Sequence, residues 1–366
     1  MGSSRRTFFQ DALLFGAGLL GLNARSAARE AWGEEKKPDR RGSSPKPAAK
    51  EPVPMVTPDV PALSFEIDHG VKVFRLKAEP LKRKIAPFKT IDVWGYNGSC
   101  PGPTIQVTQG DRVRIIFDNA LPESTSLHWH GLEVPIEQDG VPWISQKPVA
   151  PGATYTYEFT VHQEGTFFYH AHSAMQEMIG LIGMFVAHPE KPYAPRVDHD
   201  FGIVLQEWAV LPSNSVPNTA SMEFNWLTFN GLSAPAATPL IVRLGNRVRL
   251  RFVNLGMDHH PIHLHGHQFV ITGTEGGRTP ESTWYRTNTV LVGVAQAKVV
   301  EFEAKYPGAW MIHCHLPHHM MNSMTDLLRD RQIQTADTTD TRALSQMETL
   351  ARAIGVEHVH HSPIAE

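Results

Sequence analysis

The run His313-Cys314-His315-Leu316-Pro317-His318-His319-Met320-Met321-Asn322-Ser323-Met324 carries more potential chemistry than any other stretch of the chain. A thiol stands between two imidazoles, another His follows five residues after the Cys, and a Met five residues after that. One Cys, two His and a weak Met suit a mononuclear copper that passes single electrons. Successive side chains on a strand point to opposite faces. His313 and His315 therefore cannot serve the ion held by Cys314, and must reach a second metal centre on the other side. The segment reads as an electron-accepting site joined through one peptide bond on each side to another centre.

That second centre needs more ligands, and three further clusters can supply them: His128-Trp129-His130-Gly131, His170-Ala171-His172, and His260-Pro261-Ile262-His263-Leu264-His265-Gly266-His267. A single His-x-His is weak evidence, because a strand His is more often surface or core than ligand. Four such pairs, one straddling a Cys, are not structural filler. In this order the four clusters resemble the copper-binding motifs of the multicopper oxidases, the laccase-like blue-copper enzymes, and the similarity runs over residues 65–324.

The elements that must position these ligands form an internal repeat. Pro103-Thr104-Ile105-Gln106-Val107, Gly110-Asp111-Arg112-Val113-Arg114-Ile115 and His128-Trp129-His130-Gly131 return as Pro239-Leu240-Ile241-Val242, Gly245-Asn246-Arg247-Val248-Arg249-Leu250 and His263-Leu264-His265-Gly266. Gly110 to Gly245 and His128 to His263 share one offset; Glu158-Phe159, Gly165 and His170-Ala171-His172 fall against Glu301-Phe302, Gly308 and His313-Cys314-His315. Both copies alternate apolar and polar residues over short runs punctuated by Gly, Pro and Asn, the pattern of strands at sandwich spacing. The expected fold is all-β: two cupredoxin-like Greek-key β-sandwich domains at residues 59–190 and 191–327, with a stiff Pro-rich linker at 188–195. Helical periodicity emerges only at about residues 325–354, so a partly helical C-terminal tail is expected over 328–366. The repeat also shows what the first copy has lost. Ala171 stands opposite Cys314, Gln176 opposite His319, Leu181 opposite Met324 and Thr125 opposite His260. Only the second copy can hold the mononuclear copper. This argues against the two-domain copper nitrite reductases, whose mononuclear Cys lies in the first domain.

The resemblance implies the remaining assignments. A type 1 copper takes His260, Cys314, His319 and axial Met324, with Ser323 where the family usually has Gly. A type 2 copper takes His128 and His263. A type 3 pair takes His130, His170 and His315 on one ion and His172, His265 and His313 on the other. Each functional unit thus holds one type 1, one type 2 and two type 3 ions. Four coppers store the four electrons that reduce O₂ to water, while substrates give one electron each. Asp139 stands where relatives keep an acidic residue near the type 2 copper, which makes it a candidate proton relay. The bland alternative is that Asp139-Gly140 merely forms a tight turn. Two-domain relatives with the blue copper in the second domain imply a homotrimer, each trinuclear cluster shared between neighbouring chains in a closed ring.

The 366 residues are long enough for two cores. A formal net charge of −3 gives no reason to expect a nucleic-acid partner. Two cysteines are too few for a disulfide framework, and Cys100 reads as a lone buried thiol. Ser4-Arg5-Arg6-Thr7-Phe8-Phe9 resembles a twin-arginine motif; an apolar run from Ala12 to Leu22 and small residues Ser26, Ala27 and Ala28 follow. Residues 1–28 are thus expected to be a signal read by the twin-arginine export machinery, and residues 29–58 a disordered tether. The apolar run is too short for a stable membrane span, and the export signal implies a periplasmic or extracellular protein. The expected partners are O₂ and a small reducing substrate, by default a phenol or aromatic amine as in laccases. No insert covers His260 or His319, so the type 1 edge is expected to be open to bulky donors. Met175, Met178, Met184, Met320 and Met321 give a motive for the alternative, oxidation of Cu(I), Mn(II) or Fe(II). A copper-binding protein without turnover is disfavoured, because storage has no need of a Cys flanked by ligands to another cluster.

Overall fold

The computed structural model describes residues 53–173, 175–234, 236–317 and 319, together with the backbone of 332–336. Strands dominate throughout, and the helical residues among those described are two single 3₁₀ turns, Ile136–Gln138 and Glu281–Thr283, together with Pro317 and His319. The first sandwich pairs two sheets. One contains Phe65–Asp68, Val71–Ala86, Lys89–Tyr96, Arg112–Asn119 and Thr154–Thr160; the other runs Gly102–Thr108, Ile182–His188, Gly165–His170, His128–His130. Between them lie Phe74, Phe117, Trp129, Tyr157, Phe167, Tyr169 and Phe185. Arg112–Asn119 buries every second residue, as a strand with one solvated face must.

The second sandwich repeats the plan. Its larger sheet contains His199–Trp208, Arg247–Asn254, Gln296–Glu303 and Phe269–Thr274, and its smaller sheet runs Leu240–Arg243, Gln332–Ala336, Gly308–Cys314, His260–Leu264, Thr289–Val292. Phe201, Leu250, Phe252, Ile262, Leu264, Phe302, Ile312 and the Cys314 side chain form its core. A third apolar layer fuses the two sandwiches: Phe168, Ile182, Met184 and Val186 pack against Val204, Val253, Leu255 and Ala297. Gly165–His170 and Ile182–His188 are consequently buried on both faces.

Two sequence expectations fail at the ends of this body. The tether was expected to extend to Pro58, yet Met55–Val56 is a strand, parallel to His199–Trp208, with Met55 paired to Asp200. Met55 is buried in the inter-sandwich layer, so one apolar residue and an open sheet edge anchor the segment. The tail is expected to be partly helical, and the second sandwich to end at residue 327. Gln332–Ala336 is instead a strand, parallel to Leu240–Arg243 and antiparallel to Gly308–Cys314. Both neighbours offer backbone hydrogen bonds on the sides facing this gap, and filling it satisfies more of them than a local helix could. The expected signal at 1–28, the tether up to residue 52, and the rest of the tail lie outside the described residues.

Candidate metal centres

Gly308–Cys314 delivers the central thiol. It pairs antiparallel with His260–Leu264, setting Ile262 against Cys314 and His263 against His313. Alternation then places Cys314 inside the second sandwich. One ligand atom each from His260, Cys314 and His319 lies within 4.8 Å of the other two, and all three residues are buried. Cys314 Sγ is 3.4 Å from His319 Nδ1. His260 Nε2 is 3.0 Å from Glu207 Oε2, and His319 Nε2 is 3.1 Å from Asp258 Oδ2. With Nε2 committed to a carboxylate, Nδ1 is the nitrogen His260 has left. That atom is buried without a hydrogen-bond partner. A buried polar atom left unpaired is costly, and a metal ion held by this N, N, S donor set removes the cost. The residues present therefore fit a copper ion. Met324, His318, Met320 and Met321 lie outside the described residues.

In the first sandwich the corresponding place is filled. Thr125 Oγ1 and Gln176 Oε1 are 2.6 Å apart, both buried, beside Ala171 and Leu181. The Gln176 amide also donates to Glu123 Oε1 at 2.7 Å and to the Ser124 carbonyl at 3.0 Å. Two polar side chains satisfy each other where the second sandwich presents ligands.

On the other face of the ligand strands stand the eight remaining imidazoles, in two sets of four. His128, His130 and His170 offer atoms within 4.8 Å of one another, and His172 lies with its ring 5.3 Å from that of His128. In the second sandwich His265 Nε2 is 3.0 Å from His313 Nε2, and the His263 ring lies 5.7 Å from those of His313 and His315. Backbone carbonyls fix several of these rings. His128 Nδ1 donates to the Asp139 carbonyl at 2.7 Å, and His263 Nδ1 to that of Asn288 at 2.8 Å. His170 Nδ1 donates to Ala171 O and His313 Nδ1 to Cys314 O, each at 2.9 Å. A carbonyl can only accept, so in all four rings Nε2 carries the lone pair that a metal requires. Burial pushes the His130 imidazolium pKa down to about 4 and that of His170 to about 3, with help from the neighbouring imidazoles. These rings are neutral and ready to ligate at pH 7.

Asp139 reaches His128 twice, through its carbonyl and through Oδ1 at 3.4 Å from Nδ1. The turn and the carboxylate thus both stand against His128. Gly140 permits the approach: its φ is +80°, and a Cβ there would lie 1.8 Å from the Leu127 carbonyl oxygen. Three carboxylates that touch imidazoles escaped the sequence reading. Glu207 lies more than fifty residues from its partner His260 and gave no local signal. Asp258, two residues before His260, could have been flagged. Glu177, with Oε2 3.3 Å from His170 Nδ1, follows Gln176 directly; burial raises its pKa to about 7. Cys100 is the buried thiol expected, its pKa pushed up to about 12 by burial, and Sγ donates to the Gly180 carbonyl. His267 is structural: Nε2 accepts the Lys305 N–H and the ring packs on Phe302, Tyr306 and Trp310.

Twin β-sandwiches, a buried thiol with two imidazoles, and eight more imidazoles flanking the same strands define a copper protein of the cupredoxin-like kind. Residues 78–192 and 210–332 each match a family model described as multicopper oxidase, and the chain belongs to that family. The blue copper oxidase of Nitrosomonas europaea superposes with a TM-score of 0.66 at 28% identity, over 72% of this chain and 85% of that one. Copper resistance protein A of Pseudomonas syringae pv. tomato is 35% identical over 134 residues, 37% of this chain and 22% of that protein. Laccase-2 of Botryotinia fuckeliana is 30% identical over 274 residues, 67% of this chain and 46% of that protein. The chain thus spans less than half the length of these two curated relatives. No helix among the described residues is long and apolar enough to cross a membrane.

Proposed function

We propose that the protein is an oxidase that accepts single electrons from a small reducing substrate at Cys314, His260 and His319, and delivers them to O₂ at a trinuclear site built from the eight other imidazoles. The observation that carries this reading is the strand Gly308–Cys314. It puts Cys314 into one ligand group and His313 into the other, so that consecutive residues join the two. Copper, when bound, supplies the one-electron steps and the four-electron store. His260, Cys314, His319 and Met324 would hold the type 1 ion, and His128 with His263 the type 2 ion. His130, His170 and His315, with His172, His265 and His313, would hold the type 3 pair. Asp139 stands against His128 as the group to carry protons towards that site.

The open type 1 edge expected from the sequence is not what the structure presents. His260 and His319 are each 1% exposed, and Glu207 closes the first completely. Asp258, with its side chain 27% exposed, is the group on His319 that solvent reaches. A carboxylate there suits a phenol or aromatic amine, which loses a proton as it loses an electron, and we take laccase-type oxidation as the primary reading. The same carboxylate favours a second reading, oxidation of a metal ion such as Cu(I), Mn(II) or Fe(II), and relatives named for copper resistance and iron transport agree with it.

The homotrimer belongs to the proposal. His172, His265 and His315 are exposed in a single chain, although ligands of one cluster should be enclosed. His263 and His265 face a cavity of about 590 Å³ walled wholly by second-sandwich residues. Beside Asp139, Ile136, Trp143 and Ile144 expose apolar surface that a neighbouring copy would cover. Export by the twin-arginine route to the periplasm or outside the cell is supported by the Arg5-Arg6 motif, the apolar run from Ala12 to Leu22 and the small residues Ser26, Ala27 and Ala28. The deciding experiment compares initial rates with 2,6-dimethoxyphenol, Cu(I), Mn(II) and Fe(II) on one copper-saturated sample under air. Phenol oxidation matched by O₂ uptake supports the primary reading. Much faster Cu(I) oxidation, falling when Met320 and Met321 become Leu, makes the protein a cuprous oxidase. No O₂ uptake with any donor overturns both.

A further inference from the structure

Glu207 is fully buried, and the function proposed above does not use it. It lies near the end of His199–Trp208, in the sheet opposite the ligand strands. Its Oε1 accepts the backbone N–H groups of Met257 and Asp258, the latter at 2.8 Å, and its Oε2 accepts from His260 Nε2. The chain has cleared a slot for it: a Cβ on Gly256 would sit 1.9 Å from Oε2 and 2.3 Å from Oε1. One carboxylate thus ties down residues 256–260, which carry both Asp258 and His260.

We propose that Glu207 is a positioning residue that fixes the tautomer of His260 and holds the metal at the Cys314 site at a lower reduction potential than a neutral side chain would. The inference rests on the copper reading above. A carboxylate accepts only, so the proton stays on Nε2 and the lone pair of Nδ1 is aimed at the ligand group. An imidazole that donates to a carboxylate is a stronger ligand, and a stronger ligand favours the more highly charged oxidised ion. Burial sharpens the effect, because electrostatic interactions strengthen where water is excluded. All three bonds of Glu207 run to N–H groups of the backbone or an imidazole, and among the described residues no Lys or Arg is bonded to it. Asp258 makes the same kind of bond to His319 but is partly exposed, and solvent screens it. The two carboxylates should therefore differ in their grip on the metal, although each touches one imidazole.

The test is a potentiometric titration of the blue absorption in copper-loaded wild type, Glu207→Gln and Asp258→Asn. Glutamine keeps an acceptor oxygen of similar reach and removes the charge. Glu207→Gln should stay blue and shift the equilibrium with a one-electron mediator towards the reduced form at least about tenfold, a midpoint about 59 mV higher. Asp258→Asn should move it less. An unmoved midpoint in a blue Glu207→Gln protein overturns the proposal alone. A wild type that binds copper without becoming blue overturns the copper reading and the proposal together. Should the variant fail to fold, nitrogen NMR of the metal-free wild type decides. His260 must show a protected Nε2–H and an unprotonated Nδ1; the opposite tautomer refutes the proposal.

Discussion

Replacing Gly140 with Ala perturbs the proposed metal ligand His128 without touching its side chain. The residue has a φ of +80°, and a Cβ there meets Leu127 O at 1.8 Å, Leu127 C at 2.5 Å and His128 N at 3.0 Å. All three are backbone atoms, so no rotamer change relieves the contact. The left-handed conformation alone costs an L-residue about 1–2 kcal/mol. Restoring an ordinary contact of 3.4 Å or more moves the turn by over an ångström, and the adjoining Asp139 carbonyl moves with it. A 2.7 Å bond to His128 Nδ1 does not survive that displacement. Loss of such an outer partner lowers metal affinity by roughly 10–100-fold, or about 1.4–2.7 kcal/mol. Competition against a graded series of chelators should show weakened copper binding at the imidazole cluster, while the blue absorption tied to Cys314 persists as an internal control. Asp139→Asn keeps the carbonyl and should keep copper affinity, but slow reoxidation by O₂ if the carboxylate relays protons. Wild-type affinity in Gly140→Ala together with weakened affinity in Asp139→Asn would refute the reasoning, because the carboxylate and not the carbonyl would then be holding His128.

Three further outcomes are expected. Cys314→Ser should abolish the blue absorption and oxidase turnover while first-sandwich imidazoles still bind copper, as metal analysis would show. Light scattering on the loaded protein should give three times the chain mass, and a stable monomer that reduces O₂ fully would reject cluster sharing. Asp200→Asn should cost about 3–5 kcal/mol in urea unfolding, because Arg251 would remain buried without a carboxylate partner and Arg249 would keep Glu301 alone. Burial alone would raise the Asp200 pKa, but Arg251 and Arg249 hold it below the usual carboxylate range. Its stabilisation is thus complete above the unfolded value of about 3.9 and is lost as pH falls through the folded value; wild type should weaken there more than Asp200→Asn does.

The grouping of His260, Cys314 and His319, and of His128, His130 and His170, was legible because HxH on a strand fixes faces by parity, and because the repeat supplied its own alignment. Thr125 and Gln176, read as stand-ins for His260 and His319, do occupy one buried spot. The partners of the ligands were not legible. Backbone carbonyls of Asp139, Asn288, Ala171 and Cys314 have no side-chain signature, and Glu207 reaches His260 only through the packing of sheet on sheet. Environment also separates positions that the pattern makes equivalent. Arg112 and Arg114 in the first copy, and Arg247, Arg249 and Arg251 in the second, share one alternation. The former pair with Glu158 near solvent, whereas Arg249 and Arg251 are buried on Asp200 between the sandwiches, Arg251 reaching Thr166 in the other sandwich. The boundary at residue 327 moved for a similar reason: Gln332–Ala336 fills a gap between two strands of the smaller sheet.

The apolar layer between the sandwiches has a consequence for how copies of the chain could fit together. Separating the halves would expose Phe168, Ile182, Met184 and Val186 on one side alone, at about 1.5–3 kcal/mol each, a sum comparable with the entire stability of an ordinary domain. Neither half is therefore a detachable module, and the angle between the two imidazole faces of one chain is frozen. In a head-to-tail ring that angle is the step from each copy to the next, and closure requires the steps to complete one full turn. The number of subunits would then be written in the interior of each chain, in the volumes of a few side chains that never touch a neighbour. Enlarging or shrinking Met184 could change the size of the ring without altering a single residue on its contact surface.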